Sequence, residues 1–223
     1  ADGSVTYGSA INVDGTTKGI IIDMVYNPNS EKIQIVWGRE TSTNYYKPCG
    51  AEIDVATSGN TATVSSATVL SDDHILYGKL AYDEDTASMY FHWVTANDDD
   101  VHIAQLLDDG SALNGFDDNP WTGDAIYPAI VYAKSIDRML VACRRNSAGY
   151  LNVGTMSSSD SSGQNVTFGT SGGFEFSDES PGTYISIAWD ETNDRGIVVY
   201  RGTSDVGKFK VFRVDAGNHT ISF

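Results

Sequence analysis

The segment ILYGKLAYDEDTASMYFHW, residues 75–93, decides the fold. An apolar run ends on Tyr82, a polar turn follows, and a second run alternates through Met89, Phe91 and Trp93. Alternation of that kind puts those three side chains on one face of a strand. Three other segments align with it without a gap: IIIDMVYNPNSEKIQIVW (20–37), IYPAIVYAKSIDRMLVACR (126–144) and YISIAWDETNDRGIVVYR (184–201). The first anchor residue is Tyr26, Tyr82, Tyr132 and Trp189 in turn; the second is Trp37, Trp93, Cys143 and Tyr200. The two lie 11 residues apart in all four copies. We read all eight as core positions.

The turns between the anchors carry a second regularity. Asn27, Asp83 and Asp190 directly follow the first anchor, where a short side chain can accept hydrogen bonds from the backbone two residues on. Ala133 breaks the pattern in the third copy. The first strand of each pair is apolar on both faces, as in IIIDMVY, which marks a strand covered on both sides. Each pair is followed by a further strand–turn–strand stretch, such as residues 50–70 and 208–223. One repeat is thus about four strands, and successive first anchors are spaced 56, 50 and 57 residues apart. Units of that size are propeller blades.

The expected fold is therefore all-β: a single domain over 1–223, built as a small β-propeller. It has four blades of about four antiparallel strands, with repeats at about 1–54, 55–109, 110–160 and 161–223. The start SVTYGSAINV (4–13) resembles NVTFGTSGGFEF (165–176), and the end HTISF (219–223) resembles its first half. Strands from both termini are therefore expected to close the ring, removing exposed edges. A linear stack, or a ring completed by other chains, is the alternative.

Composition narrows the function. The chain has 223 residues and a net charge of −16, which disfavours nucleic acid. No apolar run approaches the length of a membrane span. Cys49 and Cys143 form no disulfide framework and read as buried free thiols. The first residue is Ala1, which fits removal of an initiator Met or cleavage from a precursor. G-x-S-x-G, H-E-x-x-H and the sialidase Asp-box are all missing, so we expect no enzyme and no cofactor. His92 and His102 could meet on neighbouring strands, but a third ligand is lacking. Asp108, Asp109, Asp117 and Asp118 could wrap a Ca²⁺ ion, against the plainer reading of a solvated acidic loop. Tyr45, Tyr46, Trp121 and Tyr150 sit off the anchor positions and could stack on sugars. Packing between blades would explain them too. Arg144 and Arg201 each follow a second anchor and could hold an anionic ligand or pair with nearby carboxylates.

The segment YISIAWDETNDRGIVVYR, with NVTFGTSGGFEF and SVTYGSAINV, resembles β-strand repeats of marine bacteriophage virion proteins. These include tail-fibre, tail-tip and head-decoration components. The resemblance covers essentially the whole chain and is weakest in the third repeat. It implies a non-enzymatic virion-surface protein that binds other virion proteins or a host glycan, with homo-oligomerisation open. A free extracellular propeller lectin is the alternative, although the loops after each pair share little.

Overall fold

A computed structural model describes residues 8–15, 18–56, 61–96, 100–110, 112–114, 121, 125–156, 166–169, 172–178 and 184–223. Among the described residues, four antiparallel sheets follow one another along the chain. The first holds β1 (Gly19–Asn27), β2 (Lys32–Ser42), β3 (Tyr45–Val55) and β4 (Ala62–Val64), with β5 (Thr68–Val69) also paired to β3. The second holds β6 (Ile75–Asp83), β7 (Ser88–Thr95), β8 (Val101–Leu106) and β9 (Leu113–Asn114). The third holds β10 (Ala125–Ala133), β11 (Arg138–Arg145), β12 (Ala148–Met156) and β13 (Val166–Phe168), with β14 (Phe174–Ser177) also on β12. The fourth holds β15 (Ile185–Asp190), β16 (Arg195–Arg201), β17 (Gly207–Asp215) and β18 (Thr220–Ser222). This is the all-β propeller architecture that the repeat predicts.

Local chemistry explains the common hairpin. In the first, second and fourth sheets the expected Asn or Asp carries the turn: Asn27, Asp83 and Asp190 each accept the backbone N–H two residues on, at 2.9 Å. The third turn, which has Ala133 at this place, becomes a single 3₁₀ turn over Lys134–Ile136. Its amides are satisfied from the next sheet. The Glu191 carboxylate accepts the N–H of Lys134 at 3.1 Å and of Ser135 at 2.7 Å. Every one of these turns ends on a residue in the left-handed region: Glu31, Ala87, Asp137 and Asp194, with φ between 50° and 58°. None of the four is glycine.

The sheets stack by their faces, with the first strands innermost: β1 packs on β6, β6 on β10 and β10 on β15. In the third sheet, Ala129, Ala142 and Leu151 lie in one cross-strand row and Val131, Leu140 and Val153 in the next. Both rows pack on Ile185, Ile187, Val198, Tyr200 and Phe212 of the fourth. Residues of the first and second sheets interlock likewise around Val36, Phe91 and Trp93, and those of the second and third around Tyr90, Ile103 and Tyr132. Among the described residues, no packing of this extent joins the fourth sheet back to the first. The C-terminal strand β18 is the outer strand of the fourth sheet. Residues 8–15 form no strand, and residues 1–7, on which closure from the N-terminus also rests, lie outside the described residues.

Seven of the eight anchors are buried or half-buried; Trp93 and Cys143 are fully enclosed. Tyr26 is the correction. It is 54% exposed, because among the described residues no preceding sheet packs against its face of the first sheet. Both thiols are free and buried, and burial pushes their pKa values up. His92 is buried too, and its pKa falls to about 3, mainly through desolvation, with the His102 charge adding to it. His102 lies flat against Trp93, ring centroids 5.2 Å apart.

Candidate functional site

Three of the four first strands are irregular near their beginnings. The pairing register slips between Ile20 and Ile22 in β1, between Ile75 and Tyr77 in β6, and between Ile126 and Ala129 in β10. A bulge re-aims the side chains beside it. Tyr77 and Tyr127 stand at two of these slips, and Tyr184 immediately precedes β15. Each lies five residues before its repeat's first anchor, a position held by Ile21 in the first copy. Tyr127 has φ 58°, a strained conformation for a bulky residue and one that recurs at functional sites.

These tyrosines line one cavity of about 850 Å³ among the first strands. The Tyr77 and Tyr127 rings are 4.8 Å apart and inclined at 56°. Tyr184 is 72% exposed among the described residues. Polar groups converge around them: Lys79, Ser186, Arg201, Asp205 and Lys208. Arg201 donates to Asp205 across 2.7 Å, and the Lys79 ammonium lies 3.7 Å from the carboxylate of Asp23. Asp23 also accepts the backbone N–H of Leu80 at 2.8 Å, which ties β1 to β6 at this level. In a chain of net charge −16, the described residues lining this cavity include three cations and one carboxylate. A cavity of this size with aromatic walls and a few convergent polar groups is the form that small-ligand sites take. A smaller cavity opens beside the anchors Tyr26, Tyr82 and Tyr132, with Glu84 as its one charged wall.

Of the residues read from sequence as ligand-binding, only Arg201 reaches the larger cavity. Trp121 is wholly buried in the core between the second and third sheets, so it is a packing residue. Tyr45 lies against His74, ring centroids 4.5 Å apart, and donates to the Asp72 carbonyl at 3.2 Å. Tyr46 packs on the first–second sheet core. Tyr150 packs on the core between the second and third sheets and sits under the Arg145 guanidinium, 5.8 Å from the ring centre. Arg144 is half-buried in β11, paired across to Gly149. Asp108 and Asp109 border a shallow pocket with Asn29, Thr86 and Gln105, while Asp117 and Asp118 lie outside the described residues. Among the described residues no three His, Cys, Asp or Glu side chains gather into a metal site. The tyrosine row lies in or directly before the first strands, not in the loops where sequence places candidate sugar-binding aromatics. Its constant offset from the anchor is the sequence signal that marks it.

No protein-family model and no curated protein sequence matches the chain. Comparison with solved structures does find the fold. A GH43 β-1,3-galactosidase superposes with TM-score 0.58 at 16% identity, covering 91% of this chain and 44% of its own. A putative 6-phosphogluconolactonase from Bacteroides uniformis gives 0.55 at 9% identity, covering 90% and 52%. The GH43 endo-arabinanase from Bacillus licheniformis gives 0.51 at 10% identity, covering 91% and 76%. The chain spans about half the length of the first two. These likenesses establish a β-propeller fold of the kind that GH43 enzymes share. They also correct an expectation. The galactosidase and the arabinanase are glycoside hydrolases and none of the three is a phage virion protein, so the reading as a non-enzymatic virion component does not stand.

Proposed function

We propose that this chain is a carbohydrate-active protein of the glycoside-hydrolase kind, holding a glycan in the cavity between its first strands. The row Tyr77, Tyr127 and Tyr184 carries this reading. Aromatic faces accept the apolar faces of pyranose rings, while neighbouring cations and hydroxyls fix the sugar hydroxyls. Lys79, Arg201, Lys208 and Ser186 supply those polar contacts.

Hydrolysis of a glycosidic bond needs two carboxyl groups flanking it. One protonates the departing oxygen; the other attacks the anomeric carbon or activates the water that does. Asp205, on the cavity wall, and Asp23, behind Lys79, are the carboxyl groups that the described residues bring here. The likeness to the galactosidase and the arabinanase supports the class of reaction and suggests the first substrates to try. The test is release of reducing ends from β-1,3-galactan, arabinan and xylan. We expect release from at least one, reduced about 100-fold or more in Asp205→Asn and Asp23→Asn. Absence of both cleavage and binding for all three polysaccharides would overturn the reading.

A further inference from the structure

The walls of the tyrosine cavity run against the charge of the rest of the chain. Its described lining sets Lys79, Arg201 and Lys208 against the carboxylate of Asp205. That lining is net +2 in a chain of −16, so the remainder carries −18. The two smaller pockets go the other way. Glu84 is a wall of one, Asp108 and Asp109 border the other, and neither has a cation among its described lining residues. Positive walls in an acidic molecule focus the field and raise the local concentration of anions.

The strand ladder sets one of these cations beside the aromatic platform. Ser186 pairs with Val199 and Val199 with Phe209. Two residues along, Tyr184, Arg201 and Gly207 form the next row on the same face. Arg201 is paired with Gly207, and its backbone N–H donates to the Tyr184 carbonyl at 3.3 Å. A Cβ added at Gly207 would meet nothing within 4 Å, so among the described residues this row has room for a ligand. Asp205 takes Nη2 of Arg201 at 2.7 Å, but its side chain is 76% exposed. Exposed pairs of this kind are weak, so a ligand oxyanion can share the guanidinium with Asp205 or replace it. The Lys79 ammonium, 3.7 Å from Asp23, stands beyond hydrogen-bond distance of that carboxylate.

On the reading of this cavity as a glycan site, on which this step rests, we infer that the sugar it holds is anionic. It is a ring bearing a carboxylate or a sulfate ester, stacked on Tyr184, with its oxyanion on Arg201 and in the field of Lys79 and Lys208. A neutral ring would satisfy the tyrosines and Ser186 but would gain nothing from the three cations. Hydrogen bonds between charged partners are roughly twice as strong as neutral ones. The planar fork of a guanidinium can donate to two oxygens of a carboxylate or a sulfate at once.

The test is calorimetric titration of the chain with two matched pairs of ligands. One is a xylo-oligosaccharide carrying a glucuronate branch, against the same molecule with that carboxyl reduced to the alcohol. The other is a β-1,3-galacto-oligosaccharide with and without one sulfate ester. The anionic member of at least one pair is expected to bind about tenfold or more tighter, and the pair that shows it tells carboxylate from sulfate. In the unaltered chain the preference should shrink to about threefold or less at about 0.5 M salt. It should fall to about twofold or less in Arg201→Gln and in Lys208→Met. Lys18→Met removes an equal charge outside the cavity and should leave the preference intact. Equal binding within both pairs, tighter binding of the neutral members, or a preference that survives both cavity substitutions would overturn the inference and leave the glycan reading standing. Binding of arabinan alone would do the same. Binding of none of the four, nor of arabinan, would overturn the glycan reading and this inference with it.

Discussion

Tyr26 and Tyr132 are the same residue at the same place in two repeats, and they offer a controlled comparison. Tyr132 is 6% exposed, wedged between the second and third sheets, and its hydroxyl donates to Asp85 at 2.8 Å and is also 3.0 Å from Asp137. Burial and those two carboxylates push its pKa up, so it stays a neutral donor at any ordinary pH. Truncation of a buried aromatic to alanine costs about 3–5 kcal/mol. Loss of the hydroxyl adds about 1 kcal/mol, held low because both carboxylates can turn to water. Tyr132→Ala should therefore destabilise by about 4–6 kcal/mol, and Tyr132→Phe by about 1 kcal/mol. Tyr26, 54% exposed, should lose less than about 1 kcal/mol on the same truncation. Urea unfolding with matched slopes measures both. Similar losses at the two sites would refute the reasoning, because they would require the first sheet's outward face to be covered as the third's is.

Three further outcomes follow from the turns. Ala87 holds φ 58° without the side chain that lets Asp adopt it easily, so Ala87→Gly should stabilise by about 0.5–1 kcal/mol in thermal unfolding. Glu191→Ala strips the third turn of its two amide acceptors and should cost about 1 kcal/mol by urea titration, although Glu191 belongs to another sheet. Hydrogen bonds from the Asn193 and Asn218 side chains, reinforced by backbone amides, hold the Asp190 and Asp215 carboxyls below their ordinary range. Their folded pKa values are lowered, so their contribution is complete above about pH 4 and fades as pH falls through the lowered values. Stability measured from pH 6 to pH 2 should fall less steeply in Asp190→Asn than in the parent chain.

The hairpins were legible because their cause is local. An aromatic residue, an Asx turn and an alternating strand at fixed spacing are visible in any one copy. The substitution of Glu191 for the missing acid at Ala133 was not legible, since its donor and acceptor lie 56 and 57 residues apart. Trp121 read as a loop aromatic because its flanking sequence is polar, yet the stacking of two sheets encloses it. Tyr77 and Tyr127 were hidden by the bulges. Strict alternation assigns a strand residue to one face or the other, and the irregular register at Tyr77 and Tyr127 departs from that assignment. The exposure of Tyr26 depends on a missing neighbour, which no pattern within the first repeat encodes.

The most direct test of the central claim is a crystal structure of the chain soaked with an oligosaccharide product of whichever polysaccharide it cleaves. The account places the sugar against Tyr77, Tyr127 and Tyr184, within hydrogen-bond reach of Lys79, Arg201 or Asp205. Sugar bound instead along the Tyr45–His74 edge, with the tyrosine cavity empty, would contradict it.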